Sequence, residues 1–238
     1  MFDIIDIVDN LTDADIIIDL QWEKLLFSKK SIMLLKSLIP LFLKNSFSSI
    51  IQNKFYCPKE TVGCRWYKKP IDGSCGEGIT VHNIKPIHND DNYVVIPEVI
   101  PRLLNGHKYD WRIWVGISDN FKFHVCSPFI QRISNSLFSI NDFDGSLTNI
   151  SQGSHYNFVD EIPFLNVINM IIYDILNSPS FLNIFNNSSS KFMLTGWDFI
   201  ESFDGQIFVL EVNSSPGMST KHIPIMNDFI NWISTCDI

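Results

Sequence analysis

A single alanine, Ala14, occurs in the 238 residues, while isoleucine, asparagine and phenylalanine abound. That bias reads as an AT-rich coding sequence and carries no functional information. Cysteine is sparse and unpatterned. Cys57, Cys64, Cys75, Cys126 and Cys236 form no Cys-x-x-Cys, and no Cys/His spacing looks like a zinc site. They read as reduced thiols in a reducing compartment, the cytoplasm. The histidines (His82, His88, His107, His124, His155, His222) do not cluster in sequence, and each reads as a surface or core residue rather than a catalyst. Basic residues are outnumbered, 18 against 26 acidic, for a net charge of −8. This argues against general nucleic-acid binding, which needs basic surface to displace counterions, and against docking on anionic membrane. A local basic patch remains compatible with it. Long apolar runs are missing as well. The most apolar stretch, Ser31 to Ile51, is broken by Lys36, Pro40, Lys44 and Asn45. It falls short of the roughly 18 uninterrupted apolar residues of a membrane span. The opening residues Met1-Phe2-Asp3-Ile4-Ile5-Asp6 are acidic where a signal peptide is basic, so no secretory leader is expected.

What is present is a core-forming composition: 45% hydrophobic residues, 13% aromatic, with 19 Phe and 6 Trp. Such a chain is not disordered, and its length suits one domain or one core with an appendage. Residues 1–60 read as mixed and partly helical. Leu25, Leu26, Ile32, Leu35, Ile39 and Phe42 recur at near-helical spacing and Pro40 makes a break or kink. Strands are expected at Cys64 to Lys69, Ile79 to Val81 and Tyr93 to Ile96. A hairpin is expected from Asp110 to Ile117 and Phe121 to Val125 around Ser118-Asp119-Asn120. Residues 134–158 read as loop. Phe164 to Leu176 reads as a helix ended by Pro179, and Asn183 to Ser190 as a polar link. Lys191 to Ser202 and Gln206 to Asn213 read as paired strands, and Ile223 to Ser234 as a closing amphipathic helix. The class expected is α+β, mostly antiparallel sheets with flanking helices.

The most informative segment runs from Gly196 to Asn213. Asp204-Gly205 suits a two-residue type I′ turn. That turn pairs Phe203 with Gln206, Ile200 with Val209, Phe199 with Leu210, and Asp198 with Glu211. Directly opposite residues share a face about 5 Å apart, and Asn213, two positions on from Glu211, shares it too. Otherwise both faces are apolar: Trp197, Phe199, Leu210 and Val212 on one, Ile200 and Val209 on the other. A solvated hairpin end would leave the acids merely exposed, but apolar flanks on both sides favour burial. Two neighbouring buried carboxylates need a cation or a shared proton. Asp198, Glu211 and Asn213 offer only hard oxygen donors, a set that suits Mg²⁺ beside substrate phosphate.

A second signal is Lys68-Lys69-Pro70-Ile71-Asp72-Gly73-Ser74-Cys75-Gly76-Glu77-Gly78-Ile79. Its glycines let backbone N–H groups approach phosphates. A helix follows a Walker A or Rossmann loop; here a β-branched strand follows, so the loop reads as a flap between strands. Lys69 before it could hold a phosphate as a point charge. A third signal is Gly106-His107-Lys108-Tyr109-Asp110-Trp111-Arg112. Lys108, Asp110 and Arg112 alternate and share one strand face, where cations need partners, either a nucleotide phosphate or surface ion pairs. Arg132 is a further candidate anion contact.

In this order, the lysine, glycine loop, Lys-x-Asp-x-Arg strand and Asp…Glu-x-Asn hairpin resemble the ATP-grasp ligases, most closely the tubulin–tyrosine-ligase-like family. The segments concerned are Lys69–Ile79, Gly106–Arg112, Leu147-Thr-Asn149, Gly196-Trp-Asp-Phe199 and Leu210-Glu-Val-Asn-Ser-Ser-Pro-Gly217. The resemblance implies an ATP-grasp fold with a reduced N-terminal lobe over 1–60 and the central and C-terminal lobes over 61–238. It implies ATP and Mg²⁺ as cofactors. Lys69 and Lys108 would contact ATP phosphates, and the loop with Gly73, Ser74, Gly76 and Gly78 would close over them. Val95 to Val99, including Glu98, would form the hinge at adenine. Asp198, Glu211 and Asn213 would hold the metal. Arg112 and Arg132 would be catalytic, facing the γ-phosphate, an acyl phosphate or the acceptor carboxylate. The implied activity is ATP-dependent amide formation between a peptide or protein acceptor and a free amino acid, by a monomer. The hinge here, Val95-Ile96-Pro97-Glu98-Val99, departs from the family's usual Gln-Lys/Glu-Tyr-like form. No basic microtubule-binding extension is present, and an acidic tubulin tail would need a concentrated basic groove on this −8 chain. The reading from another class is a nucleotide-binding interaction protein that ligates nothing.

Overall fold

The structure, a computed structural model, describes residues 17–18, 31–32, 65–70, 78–87, 92–118, 122–139, 148, 153–179, 192–213, 216 and 219–236. The strands are β1 (Ile17–Ile18), β2 (Ser31–Ile32), β3 (Trp66–Pro70), β4 (Thr80–His82), β5 (Tyr93–Pro97), β6 (Leu103–Leu104), β7 (His107–Ser118), β8 (Phe123–Leu137), β9 (His155–Val159), β10 (Phe192–Glu201) and β11 (Ile207–Asn213). The helices are α1 (Leu165–Leu176) and α2 (Ile223–Thr235), the latter entered by a 3₁₀ turn at Thr220–His222. A small sheet has the order β4–β3–β5, and a larger one the order β11–β10–β7–β8–β9 with β6 added to β7. Both are antiparallel. The expected class, α+β with mostly antiparallel sheets and flanking helices, is what the described residues form. No described helix is long and apolar enough to cross a membrane.

Alternation along the long strands builds two cores, one on each face of the larger sheet. On one face Ile113, Val115, Ile117, Trp197 and Phe199 pack under α1, which buries Ile168, Ile171, Ile172, Ile175 and Leu176. That spacing of three, four, seven and eight is the stripe that made the helix legible. On the other face Trp114, Cys126, Ile130, Phe192 and Leu194 pack under Ile225, Met226, Phe229 and Ile233 of α2. Pro224 in the first turn supplies the fixed φ a helix start tolerates. Helix α2 sits directly on Gly116, where a Cβ would come within 2.6 Å of the Phe229 and Trp232 rings.

The hairpin β10–β11 corrects the expected turn. Ser202 N–H bonds Gln206 O at 2.8 Å and Gly205 N–H bonds Ser202 O at 2.9 Å, so the loop is Phe203-Asp204-Gly205, closed by Gly205 at φ +84°. This three-residue loop shifts the ladder by one, pairing Phe199 with Val209 rather than Leu210. A bulge at Leu210 takes the shift back, and Asp198 still faces Glu211. Val209 and Leu210 consequently exchange the faces expected of them: Val209 joins Trp197 and Phe199, and Leu210 packs with Val99, Ile200 and Phe208.

Other expectations also change. Ser134–Leu137 belongs to β8 and His155–Val159 forms β9, both within a stretch read as loop. Asn135, His155 and Asn157 are exposed and the buried Ser134 hydroxyl donates to Ser136 O at 2.8 Å, so neither segment shows an apolar alternation. Ser31–Ile32, inside the stretch given helical spacing, pairs parallel with Ile17–Ile18. The rest of that helix, the loop 71–77 and the link 183–190 lie outside the described residues. The connection that leaves β5 is tied to the β10–β11 hairpin by backbone: Arg102 N–H to Glu201 O at 2.9 Å and Phe203 N–H to Ile100 O at 3.0 Å, beside a Pro101–Ser202 bridge.

Candidate functional site

The register of the larger sheet lines up charged residues across its strands, on the face that carries α2. Tyr156 lies opposite Arg132, Arg132 opposite Asp110, Arg112 opposite Asp198, and Asp198 opposite Glu211. Asp110, Arg132 and Asp198 are each under 5% exposed. Charges so buried are tolerated only when paired and fully hydrogen-bonded, and here the signs alternate. Arg132 grips Asp110 side-on, Nε to Oδ1 at 2.6 Å and Nη2 to Oδ2 at 2.7 Å. Thr148 Oγ donates to Asp110 Oδ2 in addition. Arg112 grips Asp198 in the same way, through Nε to Oδ1 and Nη2 to Oδ2 at 2.9 Å. Arg132 Nη2 also reaches Asp198 Oδ2 at 2.9 Å, which joins the two pairs.

Burial alone would raise the carboxyl of Asp198, but the charges and hydrogen bonds of Arg112 and Arg132 outweigh it and hold the group below the ordinary carboxylate range. At Asp110 burial prevails over Arg132 and Thr148, and the charge of Asp198 adds to the rise. Glu211 is half-buried and accepts from Asn213 Nδ2 at 3.1 Å. Glu211 Oε2 and Asn213 Oδ1 are the oxygens this bond does not use. The three residues fit a hard divalent cation by donor chemistry. For Asp198 to serve, the ion must replace an arginine.

The two lysines belong to different sheets, and each stands over the Tyr67 ring. Lys69 Nζ lies 5.8 Å and Lys108 Nζ 5.5 Å from the centroid of the Tyr67 ring. Burial lowers the Lys108 ammonium below its ordinary pKa, against the opposing charges of Glu98 and Asp110. Glu98, expected at the hinge, is 3% exposed. It is held by Arg65 Nε at 2.9 Å and Nη2 at 2.7 Å and by Tyr67 OH at 2.8 Å. Burial raises its carboxyl, and the hydrogen bonds of Arg65 and Tyr67, with the charges of Lys108 and Arg65, bring it net below the ordinary range. Val99 is buried against Ile200 and Phe208. Gly73, Ser74 and Gly76 lie outside the described residues. Gly78 has φ +70°, and a Cβ there would meet Pro70 Cγ at 2.8 Å, so glycine suits the entry to β4 beside the end of β3.

The metal candidates and both arginines thus share one sheet face, while the lysines meet at Tyr67. Sequence reasoning missed Arg65 and Tyr67, the partners of Glu98, and gave Thr148 no role of its own. It also missed a cluster between β8 and α2. His124, Cys126 and Asp228 place one ligand atom each within 4.8 Å of one another; His124 and Cys126 are two apart on β8, but Asp228 comes from about a hundred residues on. Asp228 there accepts from His124 Nε2 at 2.9 Å and Ser127 N–H at 2.8 Å. Burial, then the charge of Asp228, pushes the Cys126 thiol up to about 12. The trio braces α2 against β8. Compared with models of known protein families and with curated proteins, the sequence matches none of them.

Proposed function

We propose that this chain is an ATP-dependent carboxylate–amine ligase of the ATP-grasp kind, similar to the tubulin–tyrosine-ligase-like family, acting on a peptide or protein and a free amino acid. One observation carries the reading: Asp198 faces Glu211 across the hairpin, with Asn213 two residues on, on the sheet face that also holds Arg112 and Arg132. Lys69 and Lys108, meeting at Tyr67, supply the cations a triphosphate needs. Asp198, Glu211 and Asn213 would hold Mg²⁺, which when bound neutralises charge on β- and γ-phosphate oxygens.

In the reaction a carboxylate oxygen attacks the γ-phosphorus, the bond from that phosphorus to the bridging oxygen breaks, and ADP leaves. The amine then attacks the acyl carbon and phosphate departs, the amine proton passing to solvent or phosphate. Arg112 and Arg132 are the groups able to neutralise the transferring phosphoryl or the acyl phosphate. No Ser or Cys nucleophile is needed, because positioning and electrostatics carry the catalysis. A second reading, a nucleotide-binding protein that ligates nothing, draws on the arginine hold upon Asp198, which competes with a metal.

The test is ADP release from ATP and Mg²⁺ with a mixture of amino acids and candidate acceptor peptides, and mass spectrometry of the acceptors. Turnover abolished by Glu211→Gln in a chain that melts like the wild type supports the ligase. Nucleotide binding with no ADP for any acceptor favours the second reading, and unchanged turnover in Glu211→Gln overturns the metal assignment.

A further inference from the structure

The cluster between β8 and α2 shares no residue with the candidate nucleotide site. His124 and Cys126, two apart on β8, project to one side of the sheet. Cys126 packs under α2, while Phe123 and Val125 pack with the core on the opposite face. Asp228 reaches them from the second turn of α2. Together they bring one nitrogen, one sulfur and one oxygen within 4.8 Å of one another. Each is held by its neighbours. The His124 ring stacks on Trp232 at 5.6 Å and 14°, and Trp232 in turn is seated over Gly116, the residue opposite His124. Asp228 Oδ2 accepts from His124 Nε2 at 2.9 Å, from Ser127 N–H at 2.8 Å and from Ser127 Oγ at 3.4 Å. Oδ1 is the oxygen these bonds leave over. The side chains of His124 and Asp228 are each 31% exposed, whereas Cys126 is fully buried, so the trio has an open side and a closed base.

We propose that His124, Cys126 and Asp228 form a site for a divalent transition-metal ion, zinc above all, that fastens α2 to the larger sheet. Mg²⁺ and Ca²⁺ take oxygen ligands, whereas a mixed set of imidazole, thiolate and carboxylate suits Zn²⁺. Tetrahedral zinc sets its ligand atoms roughly 3–4 Å apart, so a small inward turn of the half-exposed His124 and Asp228 closes the trio. The ion takes His124 Nε2 in place of that atom's hydrogen bond to Asp228, and the neutral ring carries its proton on Nδ1. Asp228 supplies Oδ1 and Cys126 supplies Sγ, the thiol proton leaving to solvent, and water fills the fourth position. Ser127 N–H stays on Oδ2 and orients the carboxylate, as partners outside a metal's own ligands do. Strand and helix bring these atoms together only in the folded chain, so binding adds to folding stability. The site needs no nucleotide and stands apart from the ligase reading.

The experiment titrates the full chain with Zn²⁺ or Co²⁺ alone, without nucleotide, and follows the thermal melt and the cobalt absorption spectrum. Zinc is expected to raise the melting temperature by several degrees. Cobalt is expected to give a thiolate charge-transfer band with the strong visible bands of a four-coordinate ion. His124→Ala removes the ligand least embedded in the core, and Cys126→Ala leaves a small apolar side chain in place of the thiol. In each, metal affinity falls by about a hundredfold or more, since even hydrogen-bond partners of metal ligands cost up to about a hundredfold. Cys236→Ser keeps wild-type affinity. A melt unmoved or lowered by zinc, or no thiolate band with excess cobalt, overturns the site whatever the variants do, and leaves the trio a brace only. A band that survives Cys126→Ala or His124→Ala, or that is lost in Cys236→Ser, places the metal elsewhere and overturns it equally.

Discussion

Lys108 is the costliest residue of the candidate site. Burial pulls its ammonium below the ordinary lysine range although Glu98 and Asp110 stand near. Between that lowered value and the unfolded value near 10.4, the unfolded chain binds more protons, so stability gained from this group rises with pH across the window. Burial thus works against the charged form of this lysine, and a ligand anion beside it would favour that form. Lys108→Met is expected to hold or raise the melting temperature while nucleotide affinity falls by tenfold or more. Thermal melts beside nucleotide titrations check this. A drop of several degrees in the melt would show that the lysine is there for the fold. Asp198 behaves in the opposite sense, since two arginines stabilise its charged form.

At the scale of elements, residues close in sequence were legible and residues brought from afar were not. Helix α1 and the strands β10 and β11 came within a residue or two of their ends, the helix because its apolar stripe is regular and the strands because they are mostly apolar runs on either side of Asp204-Gly205. The pairing of Asp198 with Glu211 was right although the turn was read one residue short. Nothing in the local pattern distinguishes a two-residue loop from a three-residue loop followed by a bulge. Thr148 stands 38 residues from Asp110, and Arg65 33 from Glu98, with only a long-range contact to link each pair. Periodicity also says little about Gly116, whose role appears with α2 pressed upon it. Gly116→Ala places a methyl group against the Phe229 and Trp232 rings. Overpacking of this kind costs about 1–3 kcal/mol, read as an earlier urea midpoint. Nucleotide affinity is expected to stay unchanged, because neither ring belongs to the site.

At the scale of the whole molecule, and against Asp110, whose raised carboxyl works in the opposite sense, two buried carboxylates among the described residues have lowered pKa values, Asp198 and Glu98. Each contributes stability that is complete above its unfolded pKa, about 4, and is lost as pH falls through its lower native value. Melting temperatures from pH 7 downward should therefore hold to about pH 4 and fall steeply below it, and a decline starting near pH 6 would contradict these pairings. The two sheets meet at few points, and the backbone bonds from Ile100 and Arg102 fasten onto Glu201 and Phe203, at the end of the strand that carries Asp198. That attachment lies on the stretch of chain directly after β5. Were the sheet bearing Lys69 to tilt, this stretch would pull on the ribbon bearing Asp198, so the grip on one end of a bound molecule and the spacing of groups at the other would be geared together.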